Sequence, residues 1–372
     1  MSSRVLFVDI SPCSGGAQRS LFGLVAELQK RGLSPSVLTA DDSTAGLGAW
    51  CGAVEVETGI IPTRNWPRSW RGLIAAWTDL RSIRPIFTDF IEKHTIDLVY
   101  ANGLRSGLLC TLALPKDIPI ALHHRDVRAP EKVFRRVAGR ADYVITISDF
   151  QNQRCIDMLG EELAAKLTMI YNGFDWGAIR ADSAAFDARA EFNIPADVPL
   201  AILVADMVAW KRHGLFLEAI KEVRTQRQDV QAIVVGGARD ESGEAYERDL
   251  RRFAEANDLD NITFTGHVPN PYPIIKAADV LVSVAEEEPF GRTIVEAWGL
   301  GTRVVVAGGG GAEELVGDQA DGEVVDGTAA GVASGIIAAI ANAGSVAAPP
   351  DEIFSAQRHA DQVTDLLTLD AT

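Results

Sequence analysis

The chain has 372 residues, with 35 Lys and Arg against 51 Asp and Glu and a formal net charge of −16. That length predicts two domains, and 47% hydrophobic with 23% charged residues excludes a disordered chain. The acidic balance excludes a general nucleic-acid binder, whose affinity rests on neutralising phosphates with Lys and Arg.

From the N-terminus onward, short β-branched runs alternate with amphipathic segments of helical length. The pattern predicts strands over 5–8, 35–38, 98–101, 118–122, 143–147 and 167–170, then over 200–204, 232–235, 262–264, 280–284 and 303–306. Helical patterns cover 18–31, 81–93, 215–228, 244–257 and 292–300. Continuous apolar strands separated by helices predict parallel sheets covered on both faces. The expected fold class is therefore α/β, with a doubly wound, Rossmann-like unit occurring twice. The first apolar run, 4–9, is too short for a signal peptide and ends in an acid. Strand signals stop after Asn172-Gly173-Phe174-Asp175. Domains are placed at 1–175 and 199–352, with 176–198 as a linker rich in Ala and Asp. The last segment, 353–372, is amphipathic and is expected to form a helix packing back on the N-terminal domain.

Residues 327–350 carry no charge over 24 positions, but the content is mostly Ala with Gly, Ser and Asn. An Ala-rich helix over roughly 329–343, packed on a sheet, is expected there rather than a membrane span of about 20 large apolar residues. Cys13, Cys51, Cys110 and Cys155 have neither CxxC nor metal-ligand spacing, which points to free thiols in a reducing cytoplasm.

The strongest chemical signal is Glu286-Glu-Glu-Pro-Phe-Gly-Arg-Thr-Ile-Val-Glu296, directly after a predicted strand. Gly291 would leave the loop and a helix would begin near Arg292, where unpaired N–H groups can bind an anion such as pyrophosphate. Glu288 in the loop and Glu296 in the helix would stand on the order of 10 Å apart, one for sugar hydroxyls and one for ribose hydroxyls. Read without context, the same residues are solvated loop acids and a helix-surface Glu.

This string closely resembles the Glu-x7-Glu motif of retaining glycosyltransferases of the GT-B fold, the family-4 group. The resemblance runs through nearly the whole chain, in the family's order. Ser14-Gly15-Gly16-Ala17-Gln18 resembles the first Gly-Gly loop, His123-His124-Arg125-Asp126 the "H-x-R-D" segment, and Asp142-Tyr-Val-Ile-Thr-Ile-Ser148 the following strand. Tyr171-Asn-Gly-Phe-Asp175 is similar to the family's "P-N-G-v-D", and Trp210-Lys211-Arg212-His213 to its basic phosphate-binding turn. Phe264-Thr-Gly-His-Val268 and Gly310-Gly-Ala-Glu-Glu314 complete the series.

The resemblance implies two Rossmann-like domains facing a central cleft, an acceptor side at 1–175 and a nucleotide-sugar donor side at 199–352. It implies that Glu288 binds the donor sugar, Glu296 the ribose and Lys211 the diphosphate. His123 would lie against the sugar and leaving phosphate, with Gly15 and Gly16 facing sugar and acceptor. Phe290, Gly291, Arg292 and Thr293 would line the sugar and diphosphate, and Gly266 and His267 would flank the base. Arg212, or Arg292, would supply charge at the phosphates. One departure stands out: where the family carries Gly-Arg after the first strand of the second domain, this chain has Ala205-Asp206.

His94 and His359 are expected at the surface, and His124 on the opposite side of its segment from His123. No His, Asp or Glu cluster has metal-ligand spacing, so a metal-independent site without a cofactor is expected, the donor being a UDP- or GDP-sugar. The implied activity is retaining transfer of a hexose-type sugar to a hydroxyl of a glycan, lipid-linked or small-molecule acceptor. A sugar-nucleotide epimerase or hydrolase, and a catalytically impaired nucleotide-sugar binder, remain alternatives. Neither a G-x-G-x-x-G nor a P-loop motif supports a dehydrogenase or NTPase.

Acceptor choice is expected in the loop 59–71, with Trp66 and Trp70. The charge is also divided: residues 1–180 hold 21 basic and 19 acidic side chains, so the acidity lies in the second half. Arg125, Arg128, Lys132, Arg135, Arg136 and Arg140 read as a face for an anionic acceptor or lipid surface, or as a solvated helix face.

Overall fold

The apolar runs become the middles of two parallel sheets. The computed structural model describes residues 3–369 except 13, 42, 45, 63–69, 127, 320–321, 343–345 and 347–350. Cys13 and Trp66 lie outside the described residues, as does the side chain of Trp70. The strands are β1 (Val5–Asp9), β2 (Ser36–Thr39), β3 (Glu57–Ile60), β4 (Leu98–Asn102), β5 (Ile120–His123), β6 (Tyr143–Thr146) and β7 (Leu167–Met169) in the first sheet. The second sheet holds β8 (Leu200–Val204), β9 (Gln231–Val235), β10 (Ile262–Gly266), β11 (Val280–Ser283), β12 (Arg303–Val306) and β13 (Gly322–Val324). Their orders are β3-β2-β1-β4-β5-β6-β7 and β10-β9-β8-β11-β12-β13, with parallel neighbours throughout. This is the doubly wound arrangement expected, present twice.

Two of these strands carry no signal in the sequence. β3 reads Glu-Thr-Gly-Ile and β13 Gly-Glu-Val, both exposed or half-buried at or next to sheet edges. Edge strands bury one side at most, so the apolar run that marks a central strand is missing.

The chain divides into a first unit, Met1–Phe174 with Phe354–Thr372, and a second, Asp175–Ile353. In the first unit side-chain alternation feeds two cores. Leu6, Val8, Val99 and Ala101 point to one face of the sheet, and Val5, Phe7, Leu98 and Tyr100 to the other. The second of these cores takes in Ala360 and Val363 from the terminal helix Ala356–Leu366 and Leu367 directly after it, beside Leu21 and Leu24 of the helix Gly16–Lys30. The hinge of this docking is Gly173: its N–H donates to His359 Nδ1 at 2.7 Å, and Phe174 exchanges backbone hydrogen bonds with Phe354 and Ala356.

Residues 176–198 cluster with the second unit and hold two short helices, Trp176–Asp182 and Ala188–Glu191. Trp176 packs against the helix Arg292–Gly299, where a Cβ on Gly299 would come within 2.0 Å of the indole. Arg189 ties the segment down through the carbonyls of Ala277, Pro195 and Val198 and the Asp279 carboxylate. The Ala-rich helix spans Ala329–Ala341 and packs Gly335 against Val305 of β12. Among the described residues no helix is long and apolar enough to cross a membrane.

Candidate functional site

In each sheet the connections change direction between two neighbouring central strands, β1/β4 and β8/β11, and ligands of doubly wound sheets bind outside the carboxyl ends at such points. In the second unit the β8/β11 point carries the residues picked out from sequence. β8 leads through Ala205 and Asp206 into the turn Ala209–Lys211, and Arg212 follows in the left-handed region at φ 54°. The turn is held by the Glu286 N–H, which donates to the Trp210 carbonyl at 3.0 Å. Lys211 Nζ lies 2.5 Å from Glu288 Oε2 and 4.2 Å from the Trp210 ring centroid. The two side chains, 21% and 12% exposed, face a small cleft lined also by Ala205, Ala285 and Thr293.

Glu288 is fixed by its backbone. It pairs with Gly310, and the Gly311 N–H donates to the Glu288 carbonyl at 2.7 Å. Gly310 has φ +89°, and a Cβ there would stand 2.6 Å from that carbonyl oxygen, so the loop after β12 can approach only as glycine. Gly291, at φ +100°, caps the helix Arg292–Gly299 as the spacing predicts. Phe290 is buried beneath the loop. Glu296 is also buried, with Arg292 Nη2 3.1 Å from its carboxylate, so these two occupy one another. Arg212 donates to the Gly327 carbonyl at 2.9 Å, reaching towards the end of β13. Gly266 closes β10 at φ +69°, and exposed His267 abuts Gly237 after β9.

His213 opens the next helix, buried beneath this turn. Its Nε2 is 3.5 Å from the Ala205 carbonyl, its ring meets Tyr246 edge-on, and Lys211, Asp206 and Glu247 are the charges around it. Burial lowers its pKa to about 4, so the folded protein keeps it neutral. The unfolded chain takes up that proton near 6.5. Stability from this group is therefore complete above about pH 6.5 and declines as the pH falls towards 4. Between pH 7 and pH 5 the loss is on the order of 2 kcal/mol. His213→Gln should flatten that part of the wild-type stability curve, measured by urea unfolding at each pH; identical curves would contradict the assignment.

The first unit closes its own β1/β4 point with side chains. Asp9, at the end of β1, accepts from the Ser11 N–H, Gln18 Nε2 and Asn102 Nδ2. Burial raises its pKa against the pull of these bonds. Arg125 donates to Asn102 Oδ1 at 2.7 Å and to Asn172 Oδ1 at 2.6 Å, and Ser20 donates to the same Asn172 oxygen. Gly15 is extended and its N–H donates to Gln18 Oε1, which sets the start of the helix at Gly16. Sequence reasoning did not identify this cluster, although Asp9 and Asn102 are polar residues ending apolar strands.

His123 ends β5 and is fully buried. Its Nδ1 takes hydrogen bonds from the Tyr100 hydroxyl and from Arg125 Nη2. Burial, then the charge of Arg125, then His359 and His124 hold its pKa far below 6.5. Two donors on Nδ1 leave the proton on Nε2, which has no acceptor among the described residues. His124 stacks on Phe134 in the opposite core, as alternation predicts. His359 is not at the surface: it is buried, its ring centroid 5.9 Å from that of His123, because the face of the terminal helix that carries it is the docking face. His94 is half-buried over Phe90. The basic face is thinner than its sequence count. Arg125 is spent on the cluster, and Arg135 and Arg140 bind backbone carbonyls, while Arg128, Lys132 and Arg136 are exposed. Cys51, Cys110 and Cys155 are free and buried.

Residues 14–176 match the family model described as Glycosyltransferase Family 4, and residues 185–349 the model described as Glycosyl transferases group 1. The chain belongs to the family-4 glycosyltransferases. A "GDP-mannose-dependent alpha-(1-6)-phosphatidylinositol monomannoside mannosyltransferase" of Mycolicibacterium smegmatis is 25% identical to this glycosyltransferase over 346 residues, covering 86% of this chain and 84% of that protein. A "D-inositol 3-phosphate glycosyltransferase" of Kineococcus radiotolerans is 26% identical over 273 residues. That match covers 66% of this glycosyltransferase but only 59% of the relative, so the chain spans less than two thirds of the relative's length. Among solved structures, HepE of Anabaena in complex with UDP and glucose superposes with a TM-score of 0.78 at 21% identity, covering 98% of this chain and 99% of that one. At that identity the likeness establishes the GT-B fold.

Proposed function

We propose that this glycosyltransferase transfers a hexose-type sugar, with retention, from a nucleoside diphosphate sugar to an acceptor hydroxyl, the donor resting on the carboxyl ends of β8 and β11. The observation that carries the proposal is the Lys211–Glu288 pair beside the start of the helix Arg292–Gly299, at the point where doubly wound sheets take ligands. The presence of UDP and glucose with HepE supports the same donor class.

In the reaction the bond from the anomeric carbon to the phosphate oxygen breaks and a bond from the acceptor oxygen to that carbon forms on the same face. The acceptor's proton passes to the departing phosphate oxygen. Lys211, Arg212 and the first-turn N–H groups of the helix, through Arg292 and Thr293, meet the charge that builds on the diphosphate. Glu288 accepts from sugar hydroxyls once the donor displaces its contact with Lys211, and Glu296 accepts from the ribose in exchange for Arg292. Gly266 and His267 flank the base, Phe290 and Gly291 shape the sugar end, and Gly15 and Gly16 serve the acceptor. The acceptor is a sugar, lipid-linked or small-molecule hydroxyl.

A thermal-shift screen of UDP-, GDP-, ADP- and dTDP-sugars tests the donor class. One series should raise the melting temperature by several degrees at concentrations about 100-fold above its Kd, where linkage supplies about 2.7 kcal/mol. No shift with any of the four would overturn the donor-site reading.

A further inference from the structure

We propose that Arg239 contacts the donor's diphosphate and that Asp206 is its positioning residue, an inference that rests on the donor-site reading above. Asp206 stands two residues beyond the end of β8 and Arg239 four beyond the end of β9. These strands are neighbours in register, Val204 opposite Val235, so both residues lie on the carboxyl edge that carries Lys211 and Glu288. The two loops are locked together. The Ala205 N–H donates to the Val235 carbonyl at 2.9 Å and the Met207 N–H to the Gly237 carbonyl at 3.1 Å. A Cβ on Gly236 would come within 1.8 Å of the Ala205 carbonyl, so this approach needs glycine.

On this fixed base Arg239 Nε stands 2.8 Å from Asp206 Oδ2, with the side chains 35% and 38% exposed. An ion pair that open to water adds little to folding, about 0–1 kcal/mol, so stability gives weak reason for its placement. Its position gives a better one. A lone carboxylate next to Ala205, which lines the Lys211–Glu288 cleft, would repel an incoming diphosphate. Paired with Arg239 it is neutralised, and it fixes the direction of a guanidinium. That group carries five N–H donors in a planar fork, enough to serve a carboxylate and a phosphate together. The acid that departs from the family pattern at Asp206 thereby holds the cation of the neighbouring loop.

The test is calorimetric binding of UDP, UMP, GDP and GMP to wild type, Arg239→Ala, Arg239→Lys, Asp206→Ala and Asp206→Asn, with melting curves as a folding check. Arg239→Ala should weaken the preferred nucleoside diphosphate by about tenfold or more and its monophosphate by less than about threefold. Arg239→Lys should recover part of the loss, which covers the case in which the alanine variant folds poorly. Asp206→Ala should also weaken the diphosphate, less than additively with Arg239→Ala, and Asp206→Asn should lie between it and wild type. Wild-type affinity in Arg239→Ala, or tighter binding in Asp206→Ala, would overturn this assignment alone. Failure of the wild-type protein to bind any of UDP, GDP, ADP and dTDP would overturn the donor-site reading and this inference with it.

Discussion

Glu288→Gln should lower kcat/KM for sugar transfer by about 10²–10³-fold while the fold remains intact, and Lys211→Ala should cost a comparable factor. Gln keeps the size and an acceptor oxygen but loses the charge that meets Lys211 Nζ at 2.5 Å. Ala removes the cation proposed to meet the departing diphosphate. Because the two residues contact one another, the double variant should be much less impaired than the product of the single effects. The loop itself is held by backbone contacts to Gly310 and Gly311 and by the buried Phe290, so far-ultraviolet circular dichroism should be unchanged. Steady-state kinetics of the three variants provide the check. Full activity in either single variant removes that residue from the proposed site.

The second large effect is on stability. Gly173→Ala should destabilise the first unit by about 1–3 kcal/mol, the range for forced overpacking, and lower its melting temperature by several degrees. The added methyl would stand 2.7 Å from the His359 Cβ, 2.9 Å from the Ala356 Cα and 3.1 Å from the Ser355 carbonyl oxygen. Two of these belong to backbone and cannot rotate away. The terminal helix would have to lift, breaking the hydrogen bond from the Gly173 N–H to His359 Nδ1 and the bridge from Phe174 to Ser355. Loss of that helix exposes Ala360, Val363 and Leu367, which complete the core beside Leu21 and Leu24. Differential scanning calorimetry reads the effect directly, and an unchanged melting profile would show that the docking tolerates a side chain.

The repeated doubly wound order was legible because central parallel strands must be apolar on both sides, and β1, β4, β8, β9 and β12 announce themselves as unbroken runs. β3 and β13 were not legible, since a strand that buries little needs no such run. His359 shows the limit of reading side chains by type. Imidazole suits surface and interior equally, and only the docking of its helix decides between them. The Lys211–Glu288 pair was legible through motif resemblance, because contact between residues far apart in sequence leaves no local periodicity. The cluster of Asp9, Asn102, Arg125 and Asn172 had no such guide: its members come from four separate segments and meet only when the sheet forms. Asp206 was visible as a departure, but its explanation, Arg239, lies on the next loop of the sheet and required the register of β8 and β9.

The carboxyl end of the second sheet is proposed to hold a nucleoside diphosphate sugar for retaining transfer to an acceptor hydroxyl. Proton NMR of the purified protein with the donor selected by thermal shift, with and without sugar and lipid-linked acceptors, tests this. The predicted result is nucleoside diphosphate formed only when acceptor is present, in equal amount to a glycoside with the donor's anomeric configuration, and lost in Glu288→Gln. Nucleoside diphosphate released at the same rate without acceptor, or an inverted product, would contradict it.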